Sequence, residues 1–205
     1  MKLGILGGTN LAKSLGKKYI EAGLTVVFGV RPDFNVEQAE WKVLNRFYNR
    51  LYPYESTIIQ SEIILICCEN EHLPQVCQSL KEVDLDDKII IDCTNSNYDN
   101  KLSNCNTLLI RRSAPNSLIF KAFNNLGLDY PKSDILGIVK ETYFCGDSNL
   151  EKIRVKRLIE LIGFKAIDAG KMTNSTLLEA FYHLSREITR NKKEESNYHF
   201  KLISV

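Results

Sequence analysis

Met1-Lys2-Leu3-Gly4-Ile5-Leu6-Gly7-Gly8-Thr9-Asn10-Leu11-Ala12 decides the fold. Lys2–Leu6 is a short apolar run that predicts a strand. Gly7-Gly8 predicts a tight turn, and Asn10–Ala22 predicts a helix with Leu11, Leu15, Tyr19 and Ala22 recurring along it. Strand, glycine turn and helix in this order open a dinucleotide-binding βαβ unit. The turn lets the backbone approach a pyrophosphate, and the helix N-terminus offers free N–H groups and a positive dipole end. In the pattern G-x-G-x-x-G/A the first glycine is Gly7 and the closing small residue is Ala12, but Thr9 stands at the middle glycine. The Thr9 hydroxyl either bonds a phosphate in that glycine's place or partly blocks the site.

The alternation continues outward. Gly23 closes the first helix, and Leu24–Phe28 predicts a second strand. Val36–Arg50 predicts an amphipathic helix with Val36, Ala39, Val43, Leu44 and Phe47 on one stripe. Tyr52-Pro53-Tyr54 is a weak strand or a loop. Ile63–Cys68 and Lys88–Cys93 are buried strands around a helix at Leu73–Leu80, and Thr94–Asn106 is a polar loop. Ser117–Phe123, Thr142–Cys145 and Lys165–Ile167 are further strands, with helices at Leu150–Ile162 and Asn174–Thr189. Such spacing predicts an α/β, Rossmann-type, doubly wound and mostly parallel sheet with helices on both faces. Ligands of such sheets bind beyond the carboxyl ends of the strands, here the loops after Leu6, Phe28, Cys68, Cys93 and Phe123. Residues 1–190 are expected to form one NAD(P)-binding domain. Residues 191–205 are expected to form a tail, charged over Asn191–Ser196 and mobile at its start, then apolar enough over His199–Val205 to dock, for instance on a partner subunit.

Composition narrows the class. The 205 residues are 44% hydrophobic and 25% charged, ordinary values for a globular protein. Twenty-seven basic against 25 acidic residues give a net charge of +2, which argues against a nucleic-acid surface and a polybasic membrane anchor. The longest apolar run, Ile63–Cys68, is far short of the roughly 20 residues that span a bilayer. The first residues form the strand rather than a signal peptide, so a cytoplasmic protein is expected. None of the six cysteines shows C-x-x-C spacing; reduced thiols are expected, and no metal site.

The end of the second strand separates the two nicotinamide cofactors. NAD binders place an acid there for the ribose hydroxyls. This chain has Phe28-Gly29-Val30-Arg31-Pro32, with no acid at the strand end and a basic residue after it. The Arg31 fork suits a 2′-phosphate, so NADP(H) is favoured, although Asp33 weakens the positive field.

Motifs along nearly the whole chain then resemble the coenzyme F-420-dependent NADP oxidoreductases, and the oxidoreductase domain of the six-transmembrane STEAP metalloreductases. These are Ile5-Leu6-Gly7-Gly8-Thr9, Val27-Phe28-Gly29-Val30-Arg31, Glu71-His72, Asp92-Cys93-Thr94-Asn95, Lys121-Ala122-Phe123-Asn124 and Phe144-Cys145-Gly146-Asp147. Gly163-Phe164, Asp168-Ala169-Gly170 and Asn174-Ser175 with Leu177-Leu178-Glu179 complete the series. No counterpart of the STEAP transmembrane part is expected. The resemblance implies NADP held on the first-half loops. Thr9, Asn10 and Leu11, after the cofactor-binding turn of Gly7 and Gly8, would hold the pyrophosphate, and Val30 and Arg31 the 2′-phosphate end. Cys67, Cys68 and His72 would border the ribose and nicotinamide. Thr94 and Asn95, with Ala122, Phe123 and Asn124, would line the nicotinamide pocket. Two positions depart from the family: Asn10 follows Thr9 where a further glycine is usual, and Val30 stands where Ser usually precedes the Arg.

Hydride transfer between a nicotinamide and a flavin or deazaflavin needs stacked rings and excluded water, not a general acid at the reacting carbon. Accordingly no catalytic residue is singled out. His183 lies at helical spacing with Leu177, Ala180 and Leu184, which favours a packing role over catalysis, and His199 is in the tail. His72 touches cofactor or substrate, or packs at a helix N-terminus. Asp92 caps or orients the loop after it. The expected function is an NADPH-dependent oxidoreductase with a small-molecule electron acceptor, a deazaflavin or flavin. A homodimer would complete the acceptor side with its last helix and tail. The alternative is a non-catalytic NADP(H)-binding or sensing module acting through a protein partner. A C=N reductase resembling the pyrroline-carboxylate reductases is a third reading, weakened because those carry a long helical dimerisation domain.

Overall fold

Strand β1 (Lys2–Leu6) lies inside the sheet, hydrogen-bonded on both sides, which is why Leu3–Leu6, after the half-buried Lys2 at its start, show no polar face. The computed structural model describes residues 1–35, 37, 39–98, 105–192 and 197–203. Around β1 lie β2 (Thr25–Val30), β3 (Leu51–Pro53), β4 (Ile63–Ile66), β5 (Ile89–Asp92), β6 (Leu118–Ala122), β7 (Glu141–Gly146) and β8 (Lys165–Asp168). Their order is β3-β2-β1-β4-β5-β6-β7-β8. The first six strands pair in parallel; β7 is antiparallel to β6, and β8 is parallel to β7. This is the expected doubly wound Rossmann-type sheet. Its order reverses at β1 and β4, so the crevice for a ligand opens above their carboxyl ends.

The pleat sorts the core. Leu3 and Ile5 face helix α1 (Asn10–Glu21) and helix α6 (Asn149–Leu161), in a layer with Leu15, Phe28 and Leu158. Leu6 faces the other way, toward α3 (Tyr54–Ile59), α4 (Leu73–Lys81) and α5 (Asn106–Ser113), with Ile58, Val76 and Ile110. Helix α7 (Ser175–Asn191) contributes Leu178 to this second layer. Consecutive Cys67 and Cys68, just past the end of β4, fall into opposite layers and so continue the alternation of the strand. Among the described residues no helix is long and apolar enough to cross a membrane.

Four stretches differ from the pattern expected of the sequence. The helix expected over Val36–Arg50 is a short α2 (Ala39–Leu44) followed by a 3₁₀ segment, Asn45–Arg50, with a non-helical Phe47 (φ −112°, ψ 21°). The kink lays Phe47 on Phe28, ring centres 4.8 Å apart, and brings Leu51–Pro53 back beside β2. Val36, on the expected apolar stripe, lies outside the described residues, as does the side chain of Ala39. Tyr54 begins α3 rather than ending a strand. Asn106 opens α5, a helix whose buried side chains are polar apart from Ile110. Near the C-terminus, residues 193–196 and 204–205 lie outside the description, and so does the expected mobility of the tail's start. His199 and Phe200 pack on their own chain: His199 Nε2 is 2.8 Å from the Ser133 carbonyl, and Phe200 stacks on Phe181 at 4.4 Å.

A buried ion centre ties the second half of the sheet to α7. Lys121, on β6, is fully buried; its Nζ donates to Asp92 Oδ2 at 2.7 Å, Glu179 Oε1 at 2.8 Å and the Thr94 carbonyl at 2.9 Å. Asp92 Oδ1 also accepts from the Thr94 N–H and hydroxyl, and Oδ2 from the Thr107 hydroxyl. Glu179 Oε2 accepts from the Ser96 N–H and hydroxyl, and Oε1 from the Asn106 N–H. Burial alone would lower the Lys121 pKa, but Asp92 and Glu179 outweigh it and hold the ammonium charged. Burial would likewise raise Glu179, but Lys121 and Ser96 bring its carboxyl below the ordinary value. Lys121→Met strands two buried carboxylates and should cost about 3–5 kcal/mol in urea denaturation; an unchanged midpoint would contradict the centre's role. Because the Glu179 pKa is depressed, its stabilisation is present above the unfolded carboxylate value of about 4.3 and fades as pH falls below it. Melting temperatures measured from pH 7 downward should drop with acid less steeply in Glu179→Gln than in the wild type, from its lower neutral value.

Candidate functional site

The site is built on the glycine turn. Gly7 has φ +115°, and a Cβ there would lie 2.5 Å from the Cys67 carbonyl oxygen. Only glycine both adopts this conformation and lets the turn lie this close to the end of β4. Thr9 follows as the N-cap of α1: its hydroxyl accepts from the Ala12 N–H at 3.2 Å and donates to the Cys67 carbonyl at 2.8 Å. Both partners lie within the chain, so the hydroxyl is engaged in holding the turn; Thr9 is 6% exposed. The Leu11 N–H, implied as a pyrophosphate donor, instead goes to the Leu128 carbonyl at 3.0 Å. The loop between β6 and β7 thus crosses the start of α1 and takes up a donor that the helix N-terminus would offer an anion. Thr9→Ala should cost about 0.5–2 kcal/mol of stability through the lost cap; a denaturation midpoint equal to wild type would contradict that role.

Above the turn lies a cavity of about 470 Å³. Gly8, Thr9, Asn10, Arg31 and His72 line it, bringing five of the expected residues together. A second cavity, about 320 Å³, shares Glu69, Leu128 and Asp129 with the first and carries Asn95, Ser96 and Tyr182. The two form one trough along the carboxyl edge of the sheet, from Arg31 after β2 to Asn95 after β5.

The other expected residues lie behind the trough. Leu11, Cys67, Cys68, Thr94, Ala122, Phe123 and Asn124 are buried. Burial raises the Cys67 and Cys68 pKa values, so both are unreactive thiols. The Phe123 ring packs in the core against Phe164, with centres 6.1 Å apart, and lines neither of these two cavities. Its backbone is left-handed (φ 62°), a conformation costing a non-glycine residue about 1–3 kcal/mol. Asn124 supports Asn95 from behind: the Asn95 amide donates to the Asn124 carbonyl at 2.9 Å, and the Asn124 amide donates to Asn95 Oδ1 at 3.0 Å. Val30 is half-buried at the end of β2 and packs against the core.

The trough is acidic. Glu40, Glu69, Glu71 and Asp129 line it, and Arg31 is its one Arg or Lys among the described residues. Burial raises the Glu69 pKa, and the neighbouring Glu71 adds to the rise. Arg31 and His72 are held together, Nη1 to Nε2 at 3.3 Å. Sequence reasoning missed Glu40, Leu128, Asp129 and Tyr182. Glu40 stands nine residues after Arg31, three before Val43 and four before Leu44, so helical spacing places this acid within the apolar stripe, which is the signal that could have found it. Leu128 and Asp129 belong to a loop without a periodic pattern.

Residues 2–96 match the sequence model of the family described as NADP oxidoreductase, coenzyme F-420-dependent. The chain is 24% identical over 181 residues to the metalloreductase STEAP3 of Rattus norvegicus, covering 87% of this chain and 36% of that protein. It is also 24% identical over 180 residues to the metalloreductase STEAP2 of Homo sapiens, covering 86% and 35%. The chain thus spans about a third of the length of these relatives. Its fold is similar to that of a candidate F-420-dependent NADP-reductase from Arthrobacter sp. FB24, with a TM-score of 0.82, 18% identity and full coverage of both chains. It also resembles a reductive aminase from Aspergillus terreus, solved with NADPH and ethyl-5-oxohexanoate. There the TM-score is 0.62 and the identity 15%, over 93% of this chain and 67% of that one. The resemblance of this chain to the coenzyme F-420-dependent NADP oxidoreductases and to the STEAP metalloreductases therefore holds beyond its quoted motifs.

Proposed function

We propose that this chain, similar in its first half to the coenzyme F-420-dependent NADP oxidoreductases, is an NADP(H)-dependent reductase of a flavin or deazaflavin. The observation that carries this reading is the trough at the sheet's switch point, from the Arg31 fork over a glycine turn to the Asn95–Asn124 pair. The residues present fit a dinucleotide. Gly8 carries no side chain into the cavity, Arg31 offers a planar fork for a phosphate, and Asn95 offers a fixed amide at the far end. When bound, the reduced nicotinamide supplies the hydride, and the acceptor ring takes it up with a proton from water. The chain's own task is to hold two flat rings in contact and keep water out; Asn124 and the buried Lys121 centre fix the loop that does this. Nicotinamide oxidation followed by absorbance, with free flavins and a deazaflavin as acceptors, should proceed with NADPH and need an acceptor. Arg31→Ala should raise KM for NADPH about tenfold or more with little change in kcat. No turnover with any acceptor would overturn the enzymatic reading.

The second reading is a non-catalytic NADP(H)-binding module acting through a protein partner. It is favoured by the Leu11 N–H and Arg31, both already engaged within the chain. NADPH binding without turnover across the acceptor panel would support it.

A further inference from the structure

Arg31 meets its counter-charges before any ligand arrives. Its Nη2 donates to Glu40 Oε2 at 3.3 Å, and its Nε lies 3.3 Å from Asp33 Oδ1. The other Glu40 oxygen, Oε1, lies 3.4 Å from His72 Nε2, which closes a ring of three side chains. Glu40 is 19% exposed and Asp33 is 68%, so water screens Asp33 far more. The stem of Glu40 rests on the glycine turn: a Cβ on Gly8 would fall 2.3 Å from the Glu40 Cβ. The carboxylate is therefore fixed between the turn and the basic group expected to select the cofactor.

The two dinucleotides meet this carboxylate differently. A 2′-phosphate must displace it from Arg31 and then sit beside it, like charge against like charge. A free 2′-hydroxyl can donate to it, as ribose hydroxyls do to an acid after the second strand of NAD-binding folds. We propose that Glu40 is a specificity-determining residue that narrows the preference of this pocket for a 2′-phosphorylated dinucleotide over an unphosphorylated one.

The inference rests on NADP(H) binding in this cavity, so its test separates the two claims. Dissociation constants for NADPH and NADH are measured by nicotinamide fluorescence for the wild type, the isosteric Glu40→Gln and Glu40→Ala, each first checked for an intact melting transition. The NADPH-to-NADH affinity ratio should rise about tenfold in both variants, through tighter NADPH binding. An unchanged ratio overturns the role, whether both affinities stay put or rise together; Glu40 would then only fill space over Gly8. A wild type that prefers NADH overturns the NADP(H) reading, while a ratio that still moves toward NADPH in the variants supports Glu40's role. A wild type that binds neither, with Glu40→Gln binding NADPH alone, supports it as well. No binding by any of the three proteins overturns both claims.

Discussion

The Lys121 ammonium is the group on which the second half of the molecule depends. It sits on β6, out of contact with water, and its charge is tolerable only because Asp92 and Glu179 come to it from β5 and α7. Those two carboxylates in turn receive donors from Thr94, Ser96, Asn106 and Thr107. A polar loop with no apolar periodicity is thereby fixed at both of its described ends. Asn95, the amide at the far end of the trough, lies between two of these tethers. One buried charge thus fixes the described ends of this loop, where hydrophobic packing could not.

The first half solves a different problem. A dinucleotide site needs a backbone free of side chains and donors free of partners. The glycine turn meets the first need, with Gly7 in a conformation that side chains disfavour and Gly8 facing the cavity. The second is met incompletely. Leu128 takes the Leu11 N–H, and Glu40 holds Arg31. A ligand must do better than these internal partners, so affinity here is a difference between two sets of bonds. The reference state for binding is a paired site rather than a solvated one.

The strand-and-helix order was legible because Leu3–Leu6, Ile63–Ile66 and Ile89–Ile91 are buried on both faces and read as apolar runs. The glycine turn was legible for the same local reason: its chemistry lies within twelve residues. Helix α5 was not, because it is held by Asn106, Thr107 and their buried carboxylate partners, which look like loop residues in sequence. Helix α2 was overextended because an apolar stripe cannot show where the chain must turn back to form β3. Arg31, His72 and the turn could be placed in one crevice from strand ends alone. The acids facing them come from a helix and a loop whose positions only the tertiary fold sets. Phe123 shows the opposite failure: its position in a motif suggested a pocket wall, and the left-handed backbone sends its ring into the core.

A crystal structure of the protein grown with NADP⁺ tests the trough as a dinucleotide site most directly. The nucleotide should lie along the trough, its 2′-phosphate on Arg31 with Glu40 displaced, and its nicotinamide end near Asn95. Nucleotide bound elsewhere on the protein, or no bound nucleotide at millimolar concentration with the Arg31–Glu40 pair intact, would contradict it.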